Sequence, residues 1–147
     1  MQKIFLNTDG GSRGNPGIAG AGAAISNESG EVLQRASKAL GTMTNNEAEY
    51  SALILGLETA KKMLGKEKAK QAEVVARLDS ELVTKQLNGE YQIKEERLFP
   101  LFIRIWNMRV ANFGQLSFTY VPREQNKVAD QLANEAMDQQ TKQAPLM

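Results

Sequence analysis

Acidic side chains are the groups best able to do chemistry in this sequence, because the 147-residue chain contains no His and no Cys. Imidazole bases, thiolate nucleophiles and the usual zinc ligands are therefore excluded. Only four Asp residues occur, and three of them stand at the boundaries of predicted elements: Asp9, Asp79 and Asp130. Glu49 lies near the start of a predicted helix. These four acids are the candidate site.

Several carboxylates in one site need a cation to offset their repulsion. Two unit charges about 4 Å apart repel by about 4 kcal/mol at an effective dielectric constant of about 20. A site with only oxygen ligands favours hard ions, Mg²⁺ first and Mn²⁺ second, and Mg²⁺ commonly acts on phosphate groups. The alternative is that each acid is separately structural, as a turn or helix cap or a surface ion pair.

Three further acids are assigned to solvent or to the surface. Glu47 lies two residues before Glu49, so its side chain points to another face of the helix. Glu81 and Asp138 are treated as surface acids. Glu47 is the control for the choice of Glu49, because its position near the helix start would also allow it to reach the site.

The composition describes one globular domain, with 41% hydrophobic and 24% charged residues. There is no apolar run of about 18 residues and no basic-then-apolar leader at Met1, so we expect neither a membrane span nor a secretory signal. The sequence therefore predicts a cytoplasmic protein. A net charge of +1 argues against strongly charge-driven binding of nucleic acid but does not exclude it.

The hydrophobic pattern predicts three strands, a helix, a strand, two helices, a strand and a last helix. The first strand is expected at 2–9, followed by a glycine-dense turn, and the next two at 18–27 and 31–40. A buried strand is expected at 73–80. Three antiparallel strands followed by strand and helix alternation imply an α/β fold with a mixed sheet and helices on its faces.

Three local features lead to further expectations. The small residues of the second strand would let another element pack closely on it. Apolar residues at helical spacing from Phe99 to Phe113 predict a core-facing stripe that includes Trp106. The domain is expected to span 1–138, with a polar, frayed tail at 139–147.

The position of the acids fits this arrangement. Asp9 and Asp79 each end a predicted strand. In open α/β sheets, ligands bind beside the strand ends where the chain order switches. If the first and fourth strands are neighbours, these two carboxylates meet at that edge.

Four segments closely resemble, in order, the signature segments of type 1 ribonuclease H. They are DGGSRGNPG (9–17), TNNEAEYSALILGLE (44–58), LDSELVTKQLNGEY (78–91) and VPREQNKVADQLANEA (121–136). The resemblance implies the ribonuclease H-like fold, a five-stranded mixed sheet in the order 3-2-1-4-5 with helices on both faces. It also implies a monomer that hydrolyses the RNA strand of RNA/DNA hybrids.

The same resemblance assigns metal binding and catalysis to Asp9, Glu49, Asp79 and Asp130, with two Mg²⁺ ions or Mn²⁺ as a substitute. The implied reaction is in-line attack of a metal-activated water on the scissile phosphate, one ion stabilising the nucleophile and the other the leaving 3′ oxygen. Its products carry 5′-phosphate and 3′-hydroxyl ends.

The resemblance also implies a set of nucleic-acid contacts: Gly10, Gly11, Asn15, Thr44, Asn45 and Asn46. The asparagines would lie in the shallow minor groove, where the 2′-hydroxyl distinguishes RNA from DNA. Thr44 would lie near a DNA phosphate, and the glycine amides can approach RNA closely because no Cβ intervenes. The alternative, which does not exclude these contacts, is that the same residues form turns and caps.

The sequence departs from the family pattern in the loop before the last helix. Many members carry a His there, whereas this chain has Arg123, which cannot act as a base. Asn126, four residues before Asp130, either orients the metal site or caps the helix. Both residues are auxiliary candidates.

A second departure is the missing basic handle for the hybrid. Residues 88–99 contain two basic and three acidic side chains, so this segment has no excess positive charge. The Lys-rich segment 61–70 lies at the far end of the long helix from Glu49 and is expected to be a solvated loop.

Two rival functions stay open. One is a catalytically weak module that binds hybrids or RNA on the same fold, which loss of one of the four acids would signal. The other is a nuclease of this fold that acts on DNA, against which the intact GNPG and TNN segments argue.

Overall fold

The structure is a computed structural model that describes residues 2–143, with side-chain surroundings described through Thr141. Its five strands are β1 (Lys3–Gly14), β2 (Gly17–Ser26), β3 (Val32–Met43), β4 (Glu73–Leu78) and β5 (Gln115–Tyr120). They form one sheet in the order β3-β2-β1-β4-β5. The first three strands pair antiparallel, and β4 pairs parallel with β1 and β5. The predicted α/β class and strand order are confirmed.

The helices are α1 (Asn45–Leu64), α2 (Lys66–Gln71), α3 (Glu81–Leu87), α4 (Phe99–Asn112) and α5 (Lys127–Gln143). Single 3₁₀ turns occur at Glu96–Leu98 and Arg123–Gln125. The Lys-rich segment 61–70 is helical rather than a loop, although its lysines are exposed as expected. Within residues 2–143, no helix is long and apolar enough to cross a membrane.

Helices α1 and α5 cover opposite faces of the sheet. Helix α1 passes over Leu6 and Thr8 of β1, where Gly56 lets it approach. Helix α5 passes over Gly20 and Gly22 of β2, which pair with Gly11 and Asp9 of β1. Because neighbouring residues of a strand point to opposite faces, α5 lies on the side to which Asp9 points.

Close packing of α5 explains the small residues of β2. A Cβ added at Gly22 would lie 2.2 Å from the carbonyl oxygen of Ala129, and one at Gly20 would lie 2.6 Å from that of Ala133. No side chain fits at such distances, so the prediction of a close-packed partner on this strand is confirmed.

Strand β1 is longer than predicted. The glycine-dense segment expected as a turn continues the strand to Gly14 and pairs with β2 throughout, from Gly10 opposite Ala21 to Gly14 opposite Gly17. Gly10 is needed for packing, because its Cβ would lie 2.0 Å from the carbonyl oxygen of Ala48 in α1. The glycines admit the helix, and the turn itself is only Asn15 and Pro16.

The predicted core face of α4 is wrong for four of its six residues, since of the predicted stripe only Phe102 and Phe113 pack in the core. Trp106 is 54% exposed and Val110 68% exposed, and Phe99 and Ile103 are exposed as well. The helix packs on α1 through a second apolar stripe instead. That stripe is formed by Leu101, Phe102, Ile105 and Met108, preceded by Leu98 of the 3₁₀ turn, and it shares Phe102 with the predicted one. Two apolar stripes compete on this helix, and periodicity alone does not show which of them meets the core.

Helix α5 extends beyond Asp138, the predicted end of the domain. Gln140 Nε2 donates to the Ala19 oxygen at 2.7 Å, and its Oε1 accepts from the Gly41 amide at 3.0 Å. These bonds tie the last turns of the helix to β2 and β3. The predicted frayed tail is therefore wrong for residues 139–143, and residues 144–147 lie outside the described part of the chain.

Candidate active site

Three of the four predicted acids meet at one edge of the sheet. Asp9 lies in β1, and Asp79 directly follows β4; the two strands are parallel neighbours with Thr8 opposite Leu78. Glu49 lies near the start of α1, which crosses β1 at Gly10. The three carboxylates each offer an oxygen, and these oxygens lie within 4.8 Å of one another. The predicted meeting of Asp9 and Asp79 is thus confirmed in geometry, although Asp9 lies inside β1 and not at its end.

Asp130 faces this cluster from the other side of the sheet edge. It lies in the first turn of α5. Its charge and a side-chain hydrogen bond both raise the pKa of Asp9. Asp130 therefore adjoins Asp9, but it is not one of the three acids whose oxygens lie within 4.8 Å of one another.

Burial and mutual repulsion disfavour ionisation of these acids. Burial, followed by the charges of Asp79 and Asp130, raises the pKa of Asp9 to about 8. Burial also raises the pKa of Glu49 well above its ordinary value, with Asp9 and Asp79 adding to the shift. The Gly10 amide donates to Glu49 and opposes this shift.

The donor set fits a hard divalent cation. Glu49 Oε2 and Asp79 Oδ2 are buried, and neither has a hydrogen-bond partner. No Lys or Arg among the described residues pairs with these carboxylates. Buried carboxylate oxygens without protein donors need a positive charge, and oxygen ligands are those that Mg²⁺ and Mn²⁺ prefer.

A capping box holds the start of α1 and with it Glu49. The Glu47 amide donates to Thr44 Oγ1 at 3.2 Å, and Glu47 Oε1 accepts from the Thr44 amide at 3.1 Å. The assignment of Glu47 to solvent is therefore wrong. The Thr-x-x-Glu spacing was the signal that could have revealed it. Glu81 and Asp138 do lie on the surface, paired with Lys85 and Arg13.

The predicted nucleic-acid contacts gather at the same end of the molecule. The Asn45 amide donates to Asn15 Oδ1 at 3.0 Å, and Asn45 Oδ1 accepts from the Ser12 amide at 2.9 Å. Thr44 caps α1, so the predicted alternative that these residues form turns and caps holds for Thr44. Ser12 was not singled out from the sequence, although it lies inside the DGGSRGNPG segment.

Asn126 links the loop before α5 to the strand that carries Asp9. Its side chain is 1% exposed, and Nδ2 donates to the Thr8 oxygen at 2.9 Å. Its Oδ1 accepts from Asn7 Nδ2 at 3.0 Å, and its main-chain oxygen accepts from the Asp130 amide. The side chain does not cap the helix. It holds the residue before Asp9 against the start of α5, so Asn126 positions two of the four acids.

We expect Asn126→Ala to lower both stability and activity. It removes the side-chain donor to the buried Thr8 carbonyl and leaves Asn7 Nδ2 with the Gln125 oxygen alone, which costs about 1–3 kcal/mol. Loss of a residue that orients metal ligands typically costs about 10- to 100-fold in metal affinity or activity. Thermal melting, Mg²⁺ titration and kcat test this, with exposed Gln125→Ala as the matched control. A variant that melts earlier but keeps its Mg²⁺ affinity and kcat would show that Asn126 is structural only.

Arg123 lies in the 3₁₀ turn that precedes Asn126 and α5. The residue is exposed, and among the described residues it forms no ion pair. Its guanidinium is therefore available to an anion, but no contact in the structure places it against the acids.

This sheet order, with carboxylates gathered on β1 and at the end of the neighbouring strand β4, defines the ribonuclease H-like class. A family model described as "Reverse transcriptase-like" matches residues 7–136. Solved structures of type 1 enzymes share both the fold and more than a third of the sequence. The chain belongs to this family and, within it, to the type 1 ribonucleases H.

The chain is similar to LC11-RNase H1, solved in complex with an RNA/DNA hybrid. The two share 43% identity at a TM-score of 0.90, over 94% of this chain and 99% of that one. It is 39% identical to ribonuclease HI of Halobacterium salinarum, over 92% of this chain and 65% of that protein.

It is also 42% identical to the bifunctional protein Rv2228c of Mycobacterium tuberculosis, over 92% of this chain. The match spans only 36% of that protein, and the same share of two further mycobacterial relatives. Family membership therefore covers the domain described here and not the whole of those longer proteins.

Proposed function

We propose that this chain is a metal-dependent endoribonuclease that hydrolyses the RNA strand of RNA/DNA hybrids, leaving 5′-phosphate and 3′-hydroxyl ends. One observation carries the proposal: oxygens of Asp9, Glu49 and Asp79 converge within 4.8 Å, and two of these acids bring buried oxygens that lack partners. The similarity to a ribonuclease H1 solved with a hybrid supports the choice of substrate.

The four acids would hold two Mg²⁺ ions, with Mn²⁺ as a substitute. When bound, such ions supply Lewis acidity at the scissile phosphate and a stronger water nucleophile at neutral pH. The carboxylates would hold the site together, and β1, β4, α1 and α5 keep them in place before substrate arrives. Preorganised groups of this kind need no rearrangement during the reaction.

The polar rim beside the acids would bind the hybrid. Gly11 leaves the main chain of β1 partly exposed beside Asp9, while Gly10 is buried against α1. Asn15, Asn45 and Asn46 supply amides suited to a minor groove lined with 2′-hydroxyls. Thr44 would lie near a phosphate of the DNA strand. We further propose that the protein is a monomer and that it acts in the cytoplasm. Both properties stay predictions.

The substrate is tested by offering a labelled RNA/DNA hybrid beside duplex RNA, duplex DNA and single-stranded RNA of the same sequence, with and without Mg²⁺. We expect cutting of the hybrid alone, in its RNA strand, and only with the metal. A hybrid that is bound but not cut with either metal would favour the binding module. Cutting of duplex DNA would favour the DNA-acting alternative.

We expect Arg123→Ala to lower the rate of hybrid cleavage by about 10- to 100-fold, since a charge-assisted contact to phosphate contributes about 1.5–3 kcal/mol. The shape of the pH profile should stay the same, because a guanidinium remains protonated throughout. Measurement of kcat from about pH 5.5 to 9.5 for both proteins tests this. A bell-shaped profile that disappears in the variant would show that Arg123 governs a proton-transfer step.

A further inference from the structure

One of the predicted substrate-binding amides is held by an acid from a distant segment. Asn46 Nδ2 donates to Glu95 Oε1 at 2.7 Å across 49 residues of sequence. A carboxylate can only accept hydrogen bonds, so this contact sets which way the amide points: Nδ2 faces Glu95 and Oδ1 faces away. In the described part of the chain, no donor bonds to that Oδ1.

Glu95 is exposed, but the main chain around it is anchored. Leu98 is fully buried, and its amide donates to the Glu95 oxygen at 3.0 Å. Ile93, on the other side, packs against the core. The contact with Asn46 therefore joins two ordered segments. A charge-assisted bond in such a setting is stronger than a bond between neutral groups.

We propose that Glu95 is a positioning residue that determines the preference for ribose, acting through Asn46. By holding Nδ2, it leaves the acceptor Oδ1 as the free end of the side chain. A 2′-hydroxyl can donate to this oxygen, whereas deoxyribose has no group that can. The opposite orientation would offer a donor, which 2′-hydroxyls and other oxygens of either sugar could satisfy. This inference rests on the proposed function. It explains why the acidic side chain of Glu95 lies beside a surface proposed to bind nucleic acid, which is itself negatively charged.

Two substitutions at this position separate orientation from charge. Glu95→Ala removes the acceptor and frees the Asn46 amide to turn. Glu95→Gln removes the charge but keeps a partner, and because its amide can accept or donate, it allows both orientations of Asn46. The matched control is Glu96→Ala, which removes the neighbouring exposed acid of the same turn and has no bond to Asn46.

Binding of a labelled RNA/DNA hybrid and of a DNA duplex of the same sequence is measured on an Asp79→Asn parent, so that neither is consumed. We expect Glu95→Ala to lower the preference for the hybrid by about three- to tenfold, the worth of one net hydrogen bond. Glu95→Gln should give a smaller loss, and Glu96→Ala none. On an Asn46→Ala background, Glu95→Ala should change nothing further.

The ratio of the protein's affinity for the hybrid to its affinity for the DNA duplex decides the outcome. Tighter binding of both duplexes with an unchanged preference would show that Glu95 only repels phosphates, and would overturn the inference. An equal effect of Glu96→Ala, or a full effect that persists on Asn46→Ala, would overturn it too. A parent with no preference for the hybrid would overturn the proposed function as well, so the two failures can be told apart.

Discussion

Asp79→Asn is expected to abolish hybrid cleavage while leaving the metal-free protein as stable as before, or more so. Asp79 Oδ2 is buried without a partner, and its charge helps to raise the pKa of both Asp9 and Glu49. Asn has nearly the same shape, so the exchange removes repulsion without creating a cavity. Several kcal/mol of transition-state stabilisation depend on the metal site, so we expect a loss of at least about a thousandfold in kcat.

Measurement of kcat with Mg²⁺, and of the melting temperature in chelator, tests this prediction. Asp138→Asn is the matched control, since it makes the same exchange at a surface acid paired with Arg13. A large fall in melting temperature for Asp79→Asn would mark the residue as a structural cap. The structure argues against that role, because Ser80 caps α3 by accepting from the Val83 amide.

The second large effect is a pH-dependent gain in stability for Asp9→Asn in the absence of metal. The pKa of Asp9 is about 8 in the folded protein, against an ordinary value of 3.8. A raised pKa means that the folded state binds this proton more tightly than the unfolded state does. Its contribution to stability is therefore complete below about pH 4 and is lost as the pH rises towards 8.

Asn cannot ionise, so Asp9→Asn avoids this loss. We expect the two proteins to melt at similar temperatures near pH 4, and the variant to melt higher by about 10 °C at pH 8 in chelator. Added Mg²⁺ should reverse the order, because only the wild type retains its ligand. A gap that stays constant from pH 4 to 8 would contradict the raised pKa. Thermal melting at matched pH values, with Asp138→Asn as control, measures it.

The meeting of Asp9 and Asp79 was predictable from the sequence because they belong to two predicted strands, which are neighbours in the sheet. The alternation of the first strand placed Asp9 and the apolar run 73–80 placed Asp79, whereas the role of Asp130 and the strand order needed the resemblance between whole segments. The sequence also showed correctly that β2 would be closely packed. The strand positions of the acids and the small residues of β2 are visible in short stretches of sequence, which is why they could be predicted.

Features that depend on contacts between distant segments were missed. Trp106 was assigned to the core because its stripe is apolar, but α1 packs on the other apolar stripe of the same helix. The glycines of β1 suggest a turn, although they continue the strand and Gly10 admits α1. The bond from Asn46 to Glu95 joins positions 49 residues apart, which no short motif contains.

The most direct test of the central claim is the dependence of hybrid cleavage on metal concentration. A labelled hybrid is mixed with excess protein, and the cleaved fraction is followed as Mg²⁺ is raised from none, in chelator, to saturation. We expect no cutting in chelator, a rise that saturates with Mg²⁺, and recovery with Mn²⁺. Cleavage at full rate in excess chelator would contradict the claim that Asp9, Glu49, Asp79 and Asp130 work by holding metal ions.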